Sequence, residues 1–193
     1  KKKWIINSKF AKQRWFDIMN KAIFLDRDGV LNKVVLREKG KVIGSPKSLY
    51  ELKLSPYIKK TSLYLKKKGY LLIMITNQPD YIRQKNTKKN IVQINNFLKK
   101  KLFLDDVYVC FHDDLNNCKC RKPKPGMIFM AQKKHQIDLK KSYFIGDRWR
   151  DIAAGKKAKC KTILIDYNYK EKMKTKPDFK IKKINQVLKI IKF

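Results

Sequence analysis

Long apolar runs and internal repeats are both missing from this chain of 193 residues. A membrane-spanning helix needs about 20 consecutive apolar residues, so a helical span is excluded. Residues 1–18 are basic, hold Trp4 and Trp15, and lack the sustained apolar stretch that a secretory signal requires. Acidic residues are few: 16 Asp and Glu face 49 Lys and Arg, for a formal net charge of +33. Such a balance favours polyanions and phosphorylated ligands as partners. The excess is mostly lysine, spread through almost every segment instead of gathering with aromatics into a stripe. Lys59, Lys60, Lys88 and Lys89 fall where solvated helix faces are expected. A diffuse excess of this kind reads as compositional bias, with nucleic-acid binding as the competing class. Cysteine is sparse too, with three of the four in one short loop.

What is present starts at residues 22–32, Ala-Ile-Phe-Leu-Asp-Arg-Asp-Gly-Val-Leu-Asn. A short apolar run ends in two carboxylates one residue apart, Asp26 and Asp28, followed at once by Gly29. The run reads as a buried parallel strand, which puts the acids at the C-terminal edge of a sheet. In open α/β sheets that edge is where ligands bind. Carboxylates this close repel unless a cation or a shared proton settles the charge, and Mg²⁺ with its oxygen preference suits them. Three polar clusters follow in order. An apolar run over 70–75 ends in Thr76-Asn77, Arg121-Lys122-Pro123-Lys124-Pro125-Gly126 precedes a helical stretch, and a run over 142–145 ends in Gly146-Asp147-Arg148-Trp149-Arg150-Asp151. Each follows a strand or opens a helix, so all four can converge on one sheet edge. The plain readings are a solvated turn for Asp26 and Asp28, a helix cap for Thr76, and an ordinary helix N-terminus for Asp147 and Asp151. Taken jointly, a phosphate-handling site outweighs them.

A second constellation stands apart. Cys110-Phe111-His112 and Cys118-Lys119-Cys120 bracket a short loop rich in Asp and Asn. Three thiols and an imidazole fit a closed, tetrahedral, structural Zn²⁺ site. A disulfide and free thiols are the alternatives, although Cys118 and Cys120 lie too close in sequence to pair comfortably. The loop runs directly into Arg121-Lys122, so a metal there would stiffen the peptide that carries the lysine.

Together these clusters resemble the four motifs of the haloacid dehalogenase-like phosphatases: D-x-D-G, a Thr or Ser, a Lys, and a later acidic pair. The resemblance covers roughly residues 20–166. It implies a Mg²⁺-dependent phosphomonoesterase in which Asp26 attacks phosphorus and forms an aspartyl-phosphate. Asp28 would protonate the leaving oxygen and then activate water, while Thr76 and Lys122 hold the phosphoryl group. Asp147 would complete the Mg²⁺ site with Asp26 and the backbone carbonyl of Asp28, and Asp151 would support it from behind. Asn77, Arg121 and Arg148 would contact the substrate, with Asn32 near the entrance. The order C-x-H, C-x-C-R-K-P-K-P-G-M, G-D-R-x-x-D resembles the branch of the family that acts on heptose bisphosphates. Histidinol-phosphate phosphatases and polynucleotide 3'-phosphatases are related members and supply the alternative substrates to a small phosphorylated sugar. Ser45-Pro46 and residues 49–52 fit that branch's substrate side. The chain departs from it at Pro79-Asp80, where Ser-Gly is common, at Arg83-Gln84 in place of Arg-Gly, and in the short loop from His112 to Cys118. These departures surround the substrate pocket and leave the chemistry alone.

Apolar and helical patterns alternate along the chain. Helices are expected over 58–68, 90–102 and 126–135, strands over 70–75, 107–110 and 162–165, and an amphipathic C-terminal helix at Ile184, Val187, Leu188 and Ile191. The expected fold is α/β, a Rossmann-like parallel sheet with helices on both faces and no large cap domain. Residues 19–193 are expected to form one phosphatase domain, a cytoplasmic monomer. Residues 1–18 would stand outside it, with Met19 as the biological start, the competing reading being a basic helix on a membrane surface or partner. His135 reads as a solvated helix-end residue.

Overall fold

The computed structural model describes residues 19–40 and 42–191. The expectations about residues 1–18 and about Met19 as a start lie outside the described residues. Along the chain come β1 (Lys21–Leu25), a hairpin of β2 (Val35–Arg37) and β3 (Val42–Gly44), α1 (Ile58–Lys67), β4 (Tyr70–Asn77) and α2 (Lys88–Lys101). There follow β5 (Asp106–Cys110), α3 (Gly126–His135), β6 (Tyr143–Gly146), α4 (Trp149–Lys157), β7 (Lys161–Ile165), β8 (Phe179–Ile181) and the short α5 (Val187–Ile190).

Six strands form one parallel sheet in the order β5-β4-β1-β6-β7-β8. The central strand shows why its residues are all apolar. Ile23 and Leu25 pack on one face with Ile58, Leu65, Ile94 and Leu98 of α1 and α2. Ala22 and Phe24 pack on the other with Met127, Ile128 and Ala131 of α3 and Ala154 of α4. A strand covered on both faces reads as a continuous apolar run and not as an alternation. Phe24 also stacks on Phe144 at 6.3 Å between ring centroids, and burying such a side chain contributes about 2–3 kcal/mol.

The departures from expectation have local causes. β4 runs through Thr76 and Asn77 because β5 pairs with both, Thr76 with Val109 and Asn77 with Cys110. The edge strand β8 had no periodic signature in its three residues. The C-terminal helix is reduced to a 3-10 turn, Ile184–Gln186, and the single turn of α5. Ile184, Val187 and Ile191 are nonetheless buried in the core, so the spacing reported burial and not helix length. His135 is not merely solvated: its Nε2 lies 2.8 Å from Asp106 Oδ2, tying the end of α3 to β5. Among the described residues, the segment between β1 and α1 carries only the small β2–β3 hairpin and no large cap. No helix there is long and apolar enough to cross a membrane.

Candidate active site

All four polar clusters meet at the C-terminal edge of the sheet. They line one cavity of about 280 Å³ with Asp26, Asp28, Asn77, Arg121, Lys122, Asp147, Arg148 and Asp151 on its walls. Parallel register brings them together: Asp26 N donates to Ile145 O at 3.0 Å, so Asp26 and Asp147 leave adjacent strands side by side. Gly29, at φ +93°, makes this approach possible, because a Cβ there would sit 2.1 Å from Asp147 Oδ2. Gly126 does the same for the basic loop, since a Cβ would meet Lys119 O at 2.2 Å.

Lys122 is the internal counter-charge. Its Nζ donates to Asp26 Oδ1 at 2.6 Å and to Ile75 O at 2.9 Å, and it pairs with Asp151 Oδ1 at 2.6 Å. Burial works against the ammonium, but Asp151 and Asp26 outweigh it and raise its pKa. The Lys122 peptide is clamped by Asn77, whose amide both accepts from Lys122 N and donates to Lys122 O at 3.1 Å. Asp26 is pushed up to about 7, first by burial and then, against the pull of Lys122, by Asp151 and Asp28. Asp147 is raised well above the carboxylate range by burial and by the charges of Asp26 and Asp151. Arg148 and the Tyr169 hydroxyl stand near enough to pull the other way, but neither buried oxygen of Asp147 makes a hydrogen bond of ordinary length and angle. Buried, unpartnered carboxylate oxygens facing another carboxylate are what a hard divalent cation would satisfy. Asp26, Asp147 and Asp151 place ligand atoms within 4.8 Å of one another. Asp151, however, spends one oxygen on Lys122 and the other on Arg148 N at 3.0 Å, which fits a supporting place.

Asp28 is held differently. Its Oδ1 accepts from Arg27 Nε and Asn32 Nδ2, and its Oδ2 from Arg27 Nη2, Gln78 Nε2 and Ser45 Oγ. Burial opposes its ionisation, but the Arg27 guanidinium and these hydrogen bonds prevail and hold its pKa below the ordinary value. One sequence-predicted residue lies deeper than expected. Asn32 has no exposed surface and braces Asp28 from below, away from any entrance. Thr76, 1% exposed at the end of β4, accepts from Gln78 Nε2 at 2.9 Å.

The rim was only partly anticipated. Arg121 and Arg150 both donate to Asp114 Oδ1, at 2.9 and 2.5 Å, and Arg83 grips Asp113 at 2.5 and 2.6 Å. Arg148 donates to Glu171 Oε2 at 2.6 Å. Arg27, Gln78, Asp114, Arg150 and Glu171 were missed. Arg27 alone had a visible signal, its position between the two acids.

The Cys/His cluster closes beside this rim. Sγ–Sγ separations among Cys110, Cys118 and Cys120 are 3.3–3.6 Å, and His112 Nδ1 lies 3.4 Å from Cys120 and 3.7 Å from Cys110. Ligands about 2.3 Å from a tetrahedral centre stand roughly 3.8 Å apart, so the four side chains fit a zinc-sized hole. All four cysteines are free thiols.

This fold, with its acids at the sheet edge and a lysine between them, defines a class, and comparison with known proteins agrees. The chain belongs to the haloacid dehalogenase-like phosphatases. A family model described as HAD-hydrolase-like matches residues 119–187. A protein of Helicobacter pylori (strain ATCC 700392 / 26695), named D-glycero-beta-D-manno-heptose-1,7-bisphosphate 7-phosphatase, is 41% identical over 152 residues, covering 76% of this chain and 83% of the relative. A Pasteurella multocida protein of the same name is 35% identical over 164 residues, covering 76% and 82%. Among solved structures, a D,D-heptose 1,7-bisphosphate phosphatase from B. bronchiseptica, complexed with magnesium and phosphate, superposes with a TM-score of 0.74 at 24% identity, covering 88% of this chain and 99% of that one.

Proposed function

We propose that this chain is a Mg²⁺-dependent phosphomonoesterase that removes the 7-phosphate of D-glycero-D-manno-heptose 1,7-bisphosphate through an aspartyl-phosphate. The observation that carries the reading is the cavity floor, where Lys122 joins Asp26 and Asp151 beside an unpartnered Asp147, in a chain 41% identical to an enzyme of that name. An Asp26 oxygen attacks phosphorus as the bond to the sugar oxygen breaks, and the leaving alkoxide takes a proton from Asp28. Water then attacks the phosphoryl group, returns a proton to Asp28 and frees Asp26, so that monoester and water become alcohol and phosphate. The hydrogen bonds that hold the Asp28 pKa below its ordinary value favour its ionised form, the form that activates the water. Lys122 faces the charge that develops on the phosphoryl oxygens. Asp26, Asp147 and the Asp28 main chain would hold Mg²⁺, which when bound supplies positive charge to those same oxygens. Arg121 and Arg148, with Arg83 and Arg150, would receive the rest of a bisphosphate.

Cys110, His112, Cys118 and Cys120 are read as ligands of a structural Zn²⁺, and the reduced thiols suit the cytoplasm. The runner-up, a nucleic-acid 3'-phosphatase, draws on the +33 charge, but that excess is mostly lysine spread through almost every segment and is not gathered with aromatics around the cavity.

Phosphate release with Mg²⁺ tests the reading on both heptose 1,7-bisphosphate anomers, histidinol phosphate and a 3'-phosphorylated oligonucleotide, with Asp26→Asn as blank. Preference for either heptose anomer is the expected result. Preference for the oligonucleotide, with turnover falling steeply as salt rises, would overturn it.

A further inference from the structure

Arg27 is the largest side chain with no exposed surface among the described residues, and neither phosphoryl-transfer step uses it. It sits between two acids that line the cavity, yet its guanidinium lies behind the floor. Nε donates to Asp28 Oδ1 at 3.1 Å and Nη2 to Asp28 Oδ2 at 2.9 Å, a two-pronged grip on one carboxylate. Behind it, Nη2 also donates to Gln78 Oε1 at 2.8 Å, and Nη1 to Asn95 Oδ1 of α2 at 3.0 Å.

The adjacency of Arg27 and Asp28 is the telling point. A pair between covalent neighbours closes no loop and ties no distant segments together. Its consequence therefore falls on the Asp28 carboxylate itself, whose plane a paired fork fixes. Asn95 and Gln78 serve the arginine in the same way, leaving its head group one orientation.

We propose that Arg27 is a positioning residue for proton transfer: held from behind by Asn95 and Gln78, it sets the plane in which the Asp28 carboxylate meets the leaving oxygen and the attacking water. The inference rests on the reading of Asp28 as the group that moves those protons. Proton transfer by a placed side chain is worth about 10²–10⁴-fold, and misorientation forfeits part of it.

The test separates the two half-reactions. A sugar alkoxide leaves poorly without a proton, whereas p-nitrophenolate leaves without help. Both substrates need Asp28 for the water step. Arg27→Met should lower kcat on the sugar phosphate about 100-fold, with KM within about threefold of the parent. On p-nitrophenyl phosphate it should instead show a pre-steady-state burst of p-nitrophenolate approaching one per active site, as the phosphoenzyme accumulates. Arg27→Lys keeps the charge without the fork and should fall between. Asn95→Ala, which touches neither Asp28 nor the cavity, should give the same pattern at several-fold smaller size. Asp28→Asn is run alongside. If Asp28→Asn shows no difference between the two substrates, the reading of Asp28 fails. If Asp28→Asn shows the difference while the Arg27 and Asn95 variants lose both activities equally, without a burst, or lose none, the inference is overturned and the reading stands. Should Arg27→Met not fold, Arg27→Lys and Asn95→Ala carry the same readout.

Discussion

Two side-chain clusters in this protein are shaped for cations, and they are assembled in opposite ways. The acidic one gathers Asp26 and Asp147 from the ends of β1 and β6 and Asp151 from the first turn of α4, buries all three, and brings its own counter-charge in Lys122. The thiol one draws Cys110 from the end of β5 and His112, Cys118 and Cys120 from the loop that follows, leaves those three exposed or half-buried, and contains no lysine or arginine among its members. Lys122 already partners two of the acids, so losing a cation should empty the acidic cluster of activity while leaving the fold in place. Nothing comparable sits among the thiols, so losing a metal there should release the loop and, through Arg121-Lys122, blunt the site from outside.

The largest effect expected from this contrast is on turnover. Asp26→Asn should reduce kcat by on the order of 10⁴-fold or more with an unchanged far-UV spectrum and Tm. Retained activity would remove Asp26 as nucleophile and erase the functional half of the comparison. Next in size is Cys118→Ser, or chelation of the native protein. About one zinc per chain should be lost, Tm should fall by several degrees, and activity should drop roughly 10–100-fold, as when supporting shells of metal sites are cut. A native protein that contains no zinc and is equally stable would end the metal reading of the thiols.

A smaller effect is expected where the two regions touch. Asp114 lies in the loop between His112 and Cys118 and holds Arg121 and Arg150 at the cavity rim. Asp114→Asn should raise KM for a bisphosphate by roughly tenfold, with kcat little changed and a monophosphate hardly affected. Equal loss on both would show that the rim does not read the second phosphate. The smallest is a pH effect on stability. Asp26 lies at about 7 in the fold against an ordinary 3.8, so without a cation its contribution declines as pH rises through that window. The Tm gain on adding Mg²⁺ should therefore be larger at pH 8 than at pH 5. A gain independent of pH would mean that the cation is not relieving these carboxylates.

How much of this was legible in the sequence follows the same division. The apolar runs marked five of the six sheet strands, because burial on both faces leaves an unbroken signature. Their abrupt polar ends, with the basic loop that opens α3, were enough to group Asp26, Asp28, Lys122 and Asp147 at one sheet edge. The zinc-type cluster was legible for a simpler reason: its ligands are neighbours in the chain. Asn32 was misplaced because a motif names a residue type without saying which way the side chain turns. It turned inward, to brace Asp28. Asp114 and Glu171 carried no signal at all, being single acids in loops whose partners lie far along the chain.

By itself the amino-acid order determined which segments are buried, where the strands stop, and which chemistry gathers at their ends, since hydrophobic periodicity and short-range spacing are local properties. Only the tertiary structure decided how those ends are held: Asn95 of α2 behind Arg27, Asp113 and Asp114 against three arginines, Glu171 against Arg148. Those contacts depend on how helices and loops pack across the sheet and on the direction each side chain leaves the backbone, and neither leaves a period or a spacing in the sequence.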